Sequence, residues 1–200
     1  MADRFQNKYR IESARLKHWD YGWNASYFIT ICTKDRDCFF GDVMNGEMVF
    51  NEIGRIAQDC WLEIPEHFPF VKLGNHVVMP NHVHGIVVID KPDDERNDKS
   101  DGRNVPNVPN APNVETPNLG VSTTAKRTNA ASEKWNPGTL GVIVNQYKRA
   151  VTIRARKIHV DFAWQPRFHD HIIRDERSFQ KITEYIINNP LNWSNDQFHI

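Results

Sequence analysis

The stretch His76-Val77-Val78-Met79-Pro80-Asn81-His82-Val83-His84-Gly85-Ile86-Val87-Val88-Ile89 constrains the chain most. It is a β-branched run broken only by Pro80-Asn81, and it reads as strand, turn, strand. Side chains alternate along a strand, so His82 and His84 share one face while Val83 points to the other. Two imidazoles side by side on one face can share a divalent metal. The spacing alone is a weak signal. A histidine on an exposed strand is often simply solvated, and a buried one is often a satisfied core group.

The rest of the chain decides which chemistry such a pair would serve. Length and composition suit one globular domain: 200 residues, 40% hydrophobic and 25% charged. Formal net charge is +0, so a nucleic-acid partner would need a local basic face. Residues 1–25 form a basic N-terminal arm carrying Arg4, Lys8, Arg10, Arg15 and Lys17. Such an arm is either solvated or in contact with phosphates. Three cysteines, with no C-x-x-C pair, point to reduced thiols and a cytoplasmic location. No run of about 18 apolar residues is present, so no membrane partner is expected.

A single domain over 26–200 follows. Residues 26–33 read as a strand. Asn45-Gly46, between the apolar runs 38–43 and 47–50, marks a hairpin. Asn51 caps a helix whose apolar positions are Ile53, Ile56, Ala57, Cys60, Trp61 and Ile64, and Pro65 stops it. Residues 93–134 are rich in Asn, Pro, Ser and Thr and repeat a short Pro-Asn unit. They read as a disordered insertion, because so little apolar surface cannot offset the entropy of ordering.

A second helix is expected over 140–158, with Leu140, Ile143, Val144, Tyr147, Val151, Ala155 and Ile158 on its apolar stripe. No acidic residue lies between Lys134 and Val160, while Lys148, Arg149, Arg154, Arg156 and Lys157 do. This is the local basic element that the net charge conceals. A last strand near 162–174 precedes a helix over 176–188. The fold class is therefore α+β, an antiparallel sheet with helices on one face.

Three enzyme classes use paired histidines at this spacing. Amidohydrolase barrels need a longer chain. Histidine-triad hydrolases need a third histidine where Ile86 stands. HUH nucleases and transposases need an apolar residue between the histidines, a sheet setting and a tyrosine on a later helix. The chain fits the last. A second pair, His169-Asp170-His171, has a carboxylate between its histidines and suits a DNA-facing role better than the metal site. Tyr147 is the candidate nucleophile. A tyrosine on an apolar stripe is most often a core aromatic, but its neighbours Lys148 and Arg149 would favour phenolate if it faced the histidines.

Val77-Val78-Met79-Pro80-Asn81-His82-Val83-His84-Gly85-Ile86, with Tyr147 on a basic helix, resembles the HUH single-tyrosine transposases, closely the REP-associated tyrosine transposases. Tyr27-Phe28-Ile29-Thr30, Cys60-Trp61, Trp164-Gln165, His171-Ile172-Ile173-Arg174 and Tyr185-Ile186-Ile187-Asn188-Asn189-Pro190 add to the likeness, in family order. The resemblance implies a ferredoxin-like sheet that cuts and rejoins single-stranded DNA beside imperfect hairpins. It implies His82 and His84 as ligands of Mg²⁺ or Mn²⁺ and Tyr147 as the nucleophile, forming a 5′-phosphotyrosine. Arg15, Lys17, Lys148, Arg149 and Arg154 would contact DNA. Relatives include dimers and monomers, which leaves a homodimer open.

Many members of that family place a polar metal ligand about one helical turn after the tyrosine. Here the position four residues after Tyr147 is Val151, which cannot ligate. Gln146, Thr152 or a histidine of the last strand would then have to serve. The same feature favours an alternative: a domesticated, catalytically silent DNA-hairpin binder. A phosphohydrolase of small substrates is a third reading, against which the basic helix argues.

Overall fold

The computed structural model describes residues 18–92 and 138–199. Arg15, Lys17 and the insertion at 93–134 lie outside the described residues, as does most of the arm. Four strands form one antiparallel sheet: β1 (Ala25–Cys32), β4 (Val71–Met79), β5 (His82–Ile89) and β6 (His169–Ile173), in the order β4-β5-β1-β6. A separate hairpin joins β2 (Gly41–Met44) to β3 (Glu47–Phe50). Its turn residues Asn45 and Gly46 both hold positive φ, 54° and 77°, as a tight two-residue hairpin turn requires.

Helix α1 (Glu52–Leu62) starts where expected, with the Asn51 side chain accepting the Gly54 N–H. A short turn of helix, α2 (Ile64–His67), leads into β4. Helices α3 (Leu140–Ala155) and α4 (Glu176–Asn188) flank β6. The succession β1-α1-β4-β5-α3-β6 with this strand order is ferredoxin-like.

The sheet has two unlike faces. Tyr27, Ile29, Ile31, Val83, Val87 and Ile89 pack with α1 and α3 in the main core. Between His84 and Ile86, Gly85 lies against the Trp61 ring, and a Cβ there would collide with it. Phe28, Val77, Ile86 and Ile173 face the other way and meet Phe179, Ile182 and Ile186 of α4. The α1 and α3 side matches the expected single helical layer, and α4 adds a cover on the opposite side. Strand β5 explains the need for both, since every residue but Val88 is fully buried and neither of its faces can be left to water.

Candidate active site

Register fixes where the histidines stand. His82 pairs with Cys32 and Met79, and His84 with Thr30 and Val77, so both side chains project to the α4 side. Their rings lie 4.4 Å apart between centroids. His82 is 0% exposed and His84 1%.

Each imidazole is oriented through Nδ1. His82 Nδ1 sits 2.8 Å from Asn81 Oδ1, an acceptor, so Nδ1 carries the proton and Nε2 keeps its lone pair. Asn81 is itself fixed, donating to the carbonyls of Arg36 and Phe198. His82 Nε2 is buried without a hydrogen-bond partner. His84 Nδ1 lies 2.8 Å from Thr30 Oγ1, and its Nε2 lies 3.1 Å from the Tyr185 hydroxyl. Burial holds His82 well below the usual histidine range, with the charges of His84 and Arg36 adding to it. Burial, and then His169, brings His84 down to about 3. Both rings are therefore neutral at pH 7, the form that binds a metal.

Three further side chains complete the group. Asp196 offers an oxygen within 4.8 Å of the ligand nitrogens of both histidines. Asn189, 2% exposed, donates from Nδ2 to Asp196 Oδ2 at 2.9 Å, which leaves its Oδ1 buried and unpartnered. Tyr185, one turn before Asn189 on α4, is 40% exposed, with its ring edge-on to Phe28 and to His84. Burial raises its hydroxyl to about 12, and the Asp196 charge adds to that. Phe198 covers the pair from the C-terminal segment, 4.6 Å from the His82 ring centroid.

Two buried acceptors without partners, a histidine lone pair and a carboxamide oxygen, are costly unless something electrophilic binds them. Together with His84 Nε2 and a carboxylate they form a mixed nitrogen and oxygen donor set. Such a set suits Mn²⁺, or Mg²⁺ with its preference for oxygen. The residues present fit a divalent metal.

Tyr147 is not beside this group, which corrects its expected position. It is 2% exposed and belongs to the main core on the opposite side of the sheet. Its hydroxyl donates to the Ala57 carbonyl at 3.1 Å, and its ring meets Trp61 and Trp164. Burial pushes that hydroxyl well above its ordinary value, and the nearby Cys60 adds to the rise, so the expected help toward phenolate is absent. The physical reason is the stripe itself, since Leu140, Ile143, Val144, Tyr147, Val151 and Ala155 are the buried side of α3.

The basic residues of α3 separate in the same way. Lys148 turns inward to donate to the Gln165 carbonyl at 2.6 Å, and burial lowers it to about 8. Arg154 makes a two-pronged contact with Glu63, at 2.9 and 2.8 Å, that neutralises it. Arg149 is exposed, with no ion pair among the described residues. Thr152 bonds back to the Lys148 carbonyl and Gln146 is exposed on α3, so neither approaches the histidines. His169 and His171 stand on the same sheet side as His84, exposed on the edge strand β6.

No protein-family model matches the chain. It is similar to an uncharacterized protein of Haemophilus influenzae, 38% identical over 190 residues that cover 94% of this chain and 92% of that one. Among solved structures it is similar to a REP-associated tyrosine transposase bound to a REP hairpin, at 14% identity and a TM-score of 0.48, covering 92% of this chain and 74% of the other. A protein of Deinococcus radiodurans gives a TM-score of 0.40 at 14% identity, over 90% and 97% of the two chains. Both likenesses are distant, and the ferredoxin-like fold follows from the strand order β4-β5-β1-β6. No described helix is long and apolar enough to cross a membrane.

Proposed function

The chain belongs to the family of the Haemophilus influenzae protein, and we propose that it is a metal-dependent transposase-like enzyme that cuts and rejoins single-stranded DNA through Tyr185. One observation carries the reading. The Tyr185 hydroxyl lies 3.1 Å from His84 Nε2, in a group that also holds the unpartnered His82 Nε2 and Asn189 Oδ1. Tyr185 takes the role that the resemblance placed on Tyr147. The family pattern then closes, because the polar residue one helical turn after the tyrosine is Asn189. Val151 is a core residue and no longer favours a silent hairpin binder.

His82, His84 and Asn189, with Asp196 beside them, would hold Mg²⁺ or Mn²⁺. When bound, the metal supplies Lewis-acid polarisation of the scissile phosphate and offsets its developing charge. The chain's own groups do the rest. Thr30 and Asn81 fix the two imidazoles through Nδ1, as outer partners of ligating histidines do. Phe28 and His84 hold the Tyr185 ring. The Tyr185 oxygen gives up its proton and bonds to phosphorus. The P–O3′ bond breaks, the 3′ oxygen takes a proton, and a 5′-phosphotyrosine remains. Reversal by a 3′-hydroxyl rejoins the strand, so no nucleotide cofactor is consumed. Every participating side chain comes from one copy, so the site needs no homodimer. Arg149 is a phosphate contact in this reading, and Arg15 and Lys17 serve from the arm.

The test is a denaturant-resistant protein–DNA adduct with a single-stranded hairpin oligonucleotide and Mn²⁺. The wild-type protein is expected to form it, and chelation or His82→Ala to abolish it. An adduct that survives both treatments would refute the metal role.

A further inference from the structure

Beside Tyr185 a groove of about 510 Å³ runs between α4 and the C-terminal segment. Its floor holds Tyr185, Asn189 and Asp196, so it opens directly onto the group described above. A volume of this order suits a small ligand or part of a larger one. Its walls are unusual in chemistry. Asn188, Asn192, Asn195 and Gln197 line it, and they place four more carboxamides around a site that already uses Asn189.

The charge of the groove is wrong for a phosphate track. Among the described lining residues one cation, Lys181, stands with two carboxylates, Glu184 and Asp196. A polyanion backbone is not drawn to such a lining. A neutral heterocycle with donors and acceptors on its edge is. Asn192 is partly committed, since its Nδ2 donates to the Asn188 carbonyl at 2.9 Å. The side-chain amides of Asn188, Asn195 and Gln197 make no hydrogen bond among the described residues. Their backbone is held instead. Arg36 donates to the Gln197 carbonyl at 2.8 Å and Asn195 ends a 3-10 turn, so two of the three free amides sit on tied chain.

We propose that this groove is a nucleobase-reading subsite, taking the base next to the cleaved phosphate, with adenine the preferred occupant. The inference rests on Tyr185 as the reacting group. A carboxamide presents a donor and an acceptor side by side, the pattern that matches N6 and N7 of adenine. Among the described residues, no arginine lines the groove to favour guanine in the commonest way. Sequence choice would then be made within one nucleotide of the nucleophile by amides, while contacts elsewhere supply affinity.

Binding of fluorescently labelled dA6, dC6 and dT6 to full-length Tyr185→Phe protein tests this, since homopolymers need no known target. The expected result is about tenfold tighter binding of dA6, the size of one good paired contact. Adding Asn188→Ala, Asn195→Ala and Gln197→Ala should erase the difference without changing the melting temperature. The isosteric single change Asn188→Asp, which removes a donor and leaves the shape, should weaken the preference on its own. Equal or absent binding of the three oligonucleotides, or a preference that survives the triple change, overturns the proposal. The readout needs no cleavage, so it fails independently of the adduct assay.

Discussion

Tyr147 and Tyr185 lie on opposite sides of the sheet, and their surroundings could hardly differ more. On the α1 and α3 side, Tyr147 is enclosed by Trp61 and Trp164, and its hydroxyl is spent on the Ala57 carbonyl. On the α4 side, Tyr185 is partly open, points at His84 and shares its surroundings with two unpartnered buried atoms. One side is a core whose polar atoms are mostly satisfied. The other keeps ligand atoms free at a cost in stability, which is how functional sites depart from the rules of packing. A tyrosine's position relative to the sheet, rather than the basic residues beside it in sequence, decides its chemistry.

Exchanging the two hydroxyls gives the largest contrast. Tyr185→Phe should lower the rate of adduct formation at least about a thousandfold, some 4 kcal/mol of barrier. Tyr147→Phe should leave that rate within a few-fold. Equal losses, measured by single-turnover kinetics, would dissolve the distinction.

Mn²⁺ sharpens it further. At about 100 times its dissociation constant a ligand of the folded state adds about 2.7 kcal/mol. The wild-type melting temperature should rise accordingly, and neither His82→Ala nor Asn189→Leu should respond. A rise that persists in both variants would place the metal elsewhere.

Acid should strain the α4 side next. Burial depresses both histidines, His84 to about 3. Below the ordinary value of 6.5 the unfolded chain takes up protons that the folded chain refuses. Stability is thus intact above pH 6.5 and falls as the pH drops toward 3. At pH 5 the His84 share is about 2 kcal/mol. Metal-free protein should melt lower at pH 5 than at pH 7, and His84→Asn should narrow the gap. An unchanged gap would contradict the burial of a neutral ring.

The core side answers to packing alone. Gly85→Ala drives a methyl into Trp61, and a loss of about 2 kcal/mol is expected in urea unfolding. Tyr147→Phe should cost about 1 kcal/mol, the worth of a single buried hydrogen bond. A larger loss would mean that Tyr147 supports more than the core.

Much of this frame is legible in the chain. The Asn45-Gly46 turn, the Asn51 cap and the alternation through His82 and His84 rest on short-range rules, and the structure follows them. The cover that α4 gives the second face goes beyond the expected single helical layer, although a strand as buried as β5 needs cover on both faces. Tyr185 was harder to read. Its hydroxyl meets His84 across 101 residues, and no local pattern reports such a distance. The signal that existed was in α4: Phe179, Ile182 and Ile186 form the stripe, while Tyr185 and Asn189 stand four residues apart at its border. Tyr147 drew attention through Lys148 and Arg149, yet its place in mid-stripe already marked it as core. Asp196 lies past a 3-10 turn with no periodicity to place it, and only the folded C-terminal segment brings it to the histidines.

The most direct measurement is peptide mass spectrometry of the wild-type protein after reaction with a single-stranded hairpin oligonucleotide and Mn²⁺, followed by nuclease trimming. A nucleotide mass on the peptide containing Tyr185, with the peptide containing Tyr147 unmodified, is the expected result. A nucleotide on Tyr147, or on neither tyrosine after complete cleavage, would contradict it.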